Sequence, residues 1–145
     1  MTEAAVELEA IRQLKARYCR FLDTKDIDSW RRVFTTDVVV TLDMAVSTGG
    51  ADPKTASRLE GVHNFVPMVM GGLENVATMH PAIQESHTPV ISLASGTTLR
   101  VFGDGRALHG AGHYHETHEK QDGSWRIKSL HLTRTILKVS GSGGD

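Results

Sequence analysis

Five of the chain's eight histidines fall between His109 and His131, the densest concentration of titratable chemistry in the sequence. Histidine is both the usual proton shuttle near neutral pH and the commonest metal ligand, so three readings are open: a metal site, an acid-base site, or a polar sheet face. Asp122-Gly123 is a turn pair, and the residues around it make the whole stretch one long β-hairpin. On its first arm Gly110, Gly112, Tyr114, Glu116 and His118 share one face, and His109, His113 and His115 share the other. A strand would put His113 and His115 about 7 Å apart, close enough to share a metal.

With Glu119 and His131 added, the run resembles the first metal motif of cupins. A cupin, however, is built almost wholly of strands, whereas the first half of this chain is mostly helix and loop. Glu119 also lies too close to Gly123 for that motif. No metal is therefore expected.

A second constellation sits at a helix end. Asp23 follows the apolar Leu22 and lies little more than one turn beyond Tyr18, so phenol and carboxylate can point into one partly dry cavity. A buried carboxylate needs a partner. His87, in Ser86-His87-Thr88-Pro89 at a strand entry, would be oriented by such a contact as a general base. The alternatives are an Asp23 that bonds local backbone and a His87 with a structural role.

The elements that must position these groups follow from periodicity. Leu8, Ile11, Leu14, Tyr18, Phe21 and Leu22 mark one face of an amphipathic helix over residues 6–22. Asp26 or Asp28 can cap a shorter helix carrying Trp30, Val33 and Phe34, and Val38 to Leu42 has the β-branched content of a strand. Ser47 to Ser57 reads as a loop. Val62 to Val76 reads as a third helix, with Pro67 tolerated in its first turn. Strands follow at Thr88 to Leu93 and Thr97 to Phe102, then the hairpin, with Gly103-Asp104-Gly105 as a turn. Helices ahead of a meander predict an α+β fold with the helices on one sheet face.

Within the hairpin, Trp125 and Ile127 fall on one face but Leu130, Leu132 and Arg134 on the other, which predicts a bulge or bend near Ser129. Gly110 and Gly112 either leave space for a ligand or permit a sharp bend.

The chain's 145 residues suit one domain, taken as residues 1–139, with the Gly/Ser-rich stretch 140–145 as a disordered tail. Sixteen basic and 17 acidic residues give a formal charge of −1, so neither nucleic acid nor an anionic membrane is the expected partner. A small neutral or weakly polar ligand is. The single cysteine, Cys19, lies on the helical pattern and reads as a core filler. The acidic N-terminus lacks a signal-like basic region and no apolar run approaches a spanning helix, so a cytoplasmic location is expected.

Arg17-Tyr18, Asp23, Asp26 and Trp30 on the helix end, His87-Thr-Pro-Val-Ile at the strand entry, and the block from Gly112 through Asp122-Gly-Ser-Trp-Arg-Ile to Arg134 together resemble the SnoaL-like branch of the nuclear-transport-factor-2-like superfamily, over about residues 6–139. The resemblance implies a cone-shaped α+β fold, with a curved, mostly antiparallel sheet wrapped around N-terminal helices and an internal pocket, and a homodimer or higher homo-oligomer formed through the sheet's outer face. It also implies chemistry like that of scytalone dehydratase and bile acid 7α-dehydratase, which need no cofactor. Asp23 and His87 match the catalytic aspartate-histidine pair of those enzymes, and Tyr18 matches a carbonyl-binding tyrosine. Tyr114, Leu130, Leu132 and Arg134 would face the substrate, leaving His113 and His115 outside.

The bile acid enzyme's additional aspartate and the second histidine of scytalone dehydratase have no counterpart here. An insertion-like Met79-His-Pro-Ala-Ile-Gln-Glu85 makes His80 an alternative to His87. The leading expectation is a lyase or isomerase of cyclic ketones or enones; the others are a non-catalytic binding or assembly module on the same fold and a cupin-like metal enzyme.

Overall fold

The computed structural model describes residues 2–46, 56–80, 82–86 and 91–141. Helix α1 (Glu3–Asp23) starts where the Thr2 hydroxyl accepts the Ala5 N–H at 3.1 Å. Its stripe of Ile11, Leu14, Tyr18 and Leu22 is buried, and Lys15 is buried with it. The Asp26 carboxylate accepts the Ser29 N–H and opens α2 (Ile27–Arg31).

That helix is shorter than its pattern predicts. Phe34 begins strand β1 (Phe34–Val46) instead, because the Val33 carbonyl is taken by the Ile127 N–H at 2.8 Å and the backbone is drawn into the sheet. Strand β2 (Ala56–Glu60) runs antiparallel to β1 and takes in the end of the segment read as a loop; residues 47–55 lie outside the described residues. Helix α3 (Val62–Gly72) stops four residues short of Val76. Gly71-Gly72 has poor helix propensity, and Asn75 adopts φ 62°, which no helix continues. Pro67 lies in its second turn, not the first.

Four strands expected after His80 become a different set: β3 (Ala77–Met79), β4 (Ala82–Ser86), β5 (Ile91–Val101), β6 (Ala107–Gln121) and β7 (Ser124–Ser140). The two strands read at Thr88 to Leu93 and Thr97 to Phe102 are joined through Gly96 into β5. Turns at Gly103-Asp104-Gly105 and Asp122-Gly123 stand where they were read, the latter with φ 51° and 80°, the left-handed pair of a tight hairpin.

The sheet runs β2-β1-β7-β6-β5-β3, with β4 also pairing β5. All pairs are antiparallel except β1 with β7. Edge strands β3 and β4 occupy successive lengths of β5, opposite Leu99–Val101 and Ser92–Gly96, so the described ladder of β3 ends at Met79 and that of β4 starts at Ala82.

Two bulges bend β7. Thr117 pairs Ser129 while His118 pairs Ile127, which leaves Lys128 as an extra residue. The bulge therefore falls beside Ser129 and returns Ile127 to the same inner face as Leu130, Leu132 and Arg134. Thr135 is extra in the same way, opposite Ala111 and Gly112. A Cβ on Gly112 would stand 1.9 Å from the Thr133 carbonyl oxygen, so this glycine serves a close approach of backbone to backbone and opens no space for a ligand.

The helices pack into the concave face, giving an α+β architecture with a curved, unclosed mixed sheet. Its core is aromatic: Trp30 meets Phe34 at 5.0 Å and Phe65 at 5.2 Å between ring centroids, and Tyr18 meets Trp30, Phe34 and Tyr114 at 5.6 to 5.9 Å. Cys19 packs half-buried against this cluster, where burial pushes its thiol up to about 11. Among the described residues no helix is long and apolar enough to cross a membrane. The stretch read as a disordered tail is in part strand, since β7 reaches Ser140; residues 142–145 lie outside the described residues.

Candidate active site

Between α1, α3 and the inner sheet face lies a cavity of about 200 Å³, lined by Tyr18, Leu22, Leu42, Phe65, Met68, Val69, Gly72, Leu73, His80, Arg100, Tyr114, Leu132 and Arg134. Cavities of about 150 Å³ hold a benzene ring, so the described walls leave room for at least one carbocycle.

Asp23 ends α1 beside this cavity. One carboxylate oxygen accepts the Thr78 hydroxyl at 2.8 Å and meets His80 Nδ1 at 2.5 Å; the other accepts the His80 backbone N–H at 2.8 Å. These contacts exist because His80 stands in the gap between β3 and β4, where its N–H is released from the ladder. The histidine that Asp23 meets is thus His80; His87 lies outside the described residues.

An ionised carboxylate only accepts, so it holds the proton on Nδ1 and leaves Nε2 as the basic nitrogen. Burial lowers the His80 pKa, and the Asp23 contact opposes this without cancelling it. The ring is therefore neutral at pH 7. Tyr18 is pushed well above the ordinary phenol range by its own burial and stays a protonated donor.

Behind Tyr18 lies a buried ionic group. Lys15 Nζ meets Glu116 at 2.5 Å and stands 3.8 and 3.5 Å from the ring centroids of Tyr18 and Tyr114. Glu116 in turn meets His118 Nε2 at 3.2 Å. Burial alone would raise the Glu116 carboxyl, but the charge of Lys15 and the bonds from His118 and Lys15 bring it below its ordinary value.

Of the residues expected to face substrate, Tyr114, Leu132 and Arg134 line the cavity. Leu130 does not. It pairs with Val40 and Glu116, one step deeper in the sheet, and is core. His113, His115 and His131 form a row on the outer face with ring centroids 6.4 and 6.0 Å apart, and Glu119 bonds Gln121 instead. Among the described residues no three metal-capable side chains converge.

A family profile described as the SnoaL-like domain matches residues 3–131. The chain belongs to the SnoaL-like family. Solved structures that resemble this SnoaL-like chain include a candidate scytalone dehydratase from Novosphingobium aromaticivorans, 16% identical over 95% of this chain and 90% of that one, TM-score 0.74. A type 2 hexachlorocyclohexane dehydrochlorinase is 14% identical over 97% of each chain, TM-score 0.71. A Δ5-3-ketosteroid isomerase from Mycobacterium sp. is 12% identical over 90% of this chain and 98% of that one, TM-score 0.69. At such identities the likeness is one of fold, and it bears out the α+β cone. No curated protein sequence matches the chain.

Sequence reasoning missed three parts of this SnoaL-like site. Lys15 lies four residues after Ile11 and three before Tyr18, on the apolar stripe, and a charge there signals a buried partner. Glu116 and His118 alternate with Tyr114 and carried the same signal. Arg100 carried none, since its neighbours Leu99 and Val101 are the residues an isolated strand would bury.

Proposed function

We propose that the protein is a cofactor-independent lyase or isomerase acting on a hydrophobic cyclic ketone or enone, with His80 oriented by Asp23 as general base. The observation that carries this reading is the 2.5 Å contact of Asp23 with His80 Nδ1 at the wall of an apolar cavity. His80 Nε2 takes a proton α or γ to the carbonyl, and the imidazolium formed is stabilised by the carboxylate beside it. Tyr18 donates a hydrogen bond to the developing enolate, a contact worth roughly 2.7 to 4 kcal/mol of barrier in comparable oxyanion sites. Return of the proton to another carbon completes an isomerisation. Its transfer to a departing β-hydroxyl releases water and completes a dehydration.

Met79, Leu99, Val101 and Ile136 expose apolar surface on the outer sheet face, which supports self-association there. Sedimentation showing a monomer at micromolar concentration would reject that part.

The catalytic reading is tested by deuterium incorporation into cyclohexanone and cyclohex-2-enone in D2O, followed by NMR. Wild-type protein should accelerate exchange, and His80→Gln should return it to the buffer rate. Equal exchange with both proteins rejects His80 as the base.

A further inference from the structure

Arg100 stands on β5 between Thr78 of β3 and Leu108 of β6, on the row that faces the cavity. Its neighbours Leu99 and Val101 point outward and are 36% and 42% exposed. The strand thus exposes two aliphatic side chains and turns a guanidinium inward, against the ordinary preference. The Arg100 Nε–H is buried and has no acceptor among the described residues, a standing cost. The cavity wall offers none: its described lining includes two arginines and no carboxylate, and Asp23 is already engaged by His80 and Thr78. Arg100 lines the same cavity as His80 and Tyr18, which places it among the reacting groups.

An inward guanidinium whose Nε–H is unused among the described residues, in a wall whose described lining holds no acid, matches one ligand group best. Nε–H and an adjacent Nη–H present two parallel donors, the geometry that takes a carboxylate side-on. We infer that the substrate is a cyclic keto acid whose carboxylate is held by Arg100. The inference rests on the cavity being the substrate site. It changes the expected ligand from a neutral ring to an anionic one, with the apolar wall of Leu22, Phe65, Val69 and Leu132 holding the carbocycle.

The test uses a matched pair, 4-oxocyclohexanecarboxylate and 4-oxocyclohexanecarboxamide, titrated calorimetrically at pH 8. Wild-type protein should bind the acid at least about tenfold more tightly than the amide. Arg100→Gln should level the two, and Arg100→Lys, which keeps the charge but loses the fork, should give an intermediate preference. Asp23→Asn should keep the full preference, so a failure of the catalytic reading and a failure of this one are read separately. Equal wild-type affinities, a preference that survives Arg100→Gln, or one lost only on changing Arg134 would overturn the inference. A further outcome would do the same: if Arg100→Gln slows deuterium exchange of uncharged cyclohexanone as much as that of the keto acid, the guanidinium acts on the enolate and not on a carboxylate. Equal wild-type affinities overturn the inference without any variant, and if Arg100→Gln fails to fold, Arg100→Lys and a change of Arg134 still assign a wild-type preference to one guanidinium or the other.

Discussion

Replacing Asp23 by Asn keeps the shape of the side chain and changes only which atoms donate. Asp23 accepts three hydrogen bonds, from the Thr78 hydroxyl, the His80 backbone N–H and His80 Nδ1. The backbone N–H cannot reverse, so the Asn oxygen must stay opposite it and the amide nitrogen falls opposite Nδ1 and Thr78. The Thr78 hydroxyl can turn to accept, and Nδ1 can accept if the imidazole carries its proton on Nε2 instead. Every group is then satisfied. The change in stability is the difference between charged and neutral hydrogen bonds, about 1 kcal/mol, or about 4 °C in Tm. Catalysis fares differently, because Nε2 now carries a proton where a lone pair is needed. The same tautomer inversion in a Ser-His-Asp triad costs about 10⁴ in kcat, or about 5 kcal/mol of barrier. The assay is deuterium exchange into the cyclic ketone, paired with nitrogen NMR of His80 to read the tautomer. Exchange within tenfold of wild type, or an imidazole still protonated on Nδ1, would refute the reasoning.

Other expectations follow from the same geometry. Burial holds the His80 pKa below 6.5, so turnover should fall on the acid side with an apparent pKa under that value; a limb at 7 or above in a pH-rate profile would contradict it. The sign for stability is the same, because between the native value and 6.5 the unfolded chain binds the extra proton, and urea melts should show stability lost as pH falls through that window. Gly112→Ala should destabilise severely or prevent folding, since the added Cβ would meet the Thr133 carbonyl oxygen at 1.9 Å, whereas Gly71→Ala on α3 meets nothing within 4 Å and should gain about 0.5 to 1 kcal/mol, both read from chemical denaturation. Lys15→Met leaves Glu116 buried without its cation and should cost about 3 to 5 kcal/mol, and a melt within 1 kcal/mol of wild type would show the Lys15–Glu116 pair to be dispensable.

Legibility followed the range of the interactions involved. The stripe of α1 and the Asp122-Gly123 turn depend on residues a few positions apart, and both stand where the pattern puts them. The phase of Trp125 and Ile127 against Leu130 points to a bulge or bend near Ser129, and the strand register puts a bulge beside it at Lys128. Leu130 shares the face of Leu132 and Arg134 but lies deeper, in the core, and depth depends on how far α1 and α3 reach along the sheet. Phe34 left its helix for β1 because a parallel partner nearly a hundred residues away claimed the backbone.

Asp23 as a carboxylate in need of a partner, the α+β order of elements and the shared face of His113 and His115 were determined by the sequence itself, through periodicities that any local segment expresses. Which histidine answers Asp23 was not. That choice depends on the break between β3 and β4 along β5, a register set by pairing between distant strands, and it puts His80 against the carboxylate. Arg100 shows the same limit from the other side. Alternation divides a strand into two faces but does not say which is inner, and only the closing of the sheet around the helices turned the guanidinium, and not its aliphatic neighbours, into the cavity.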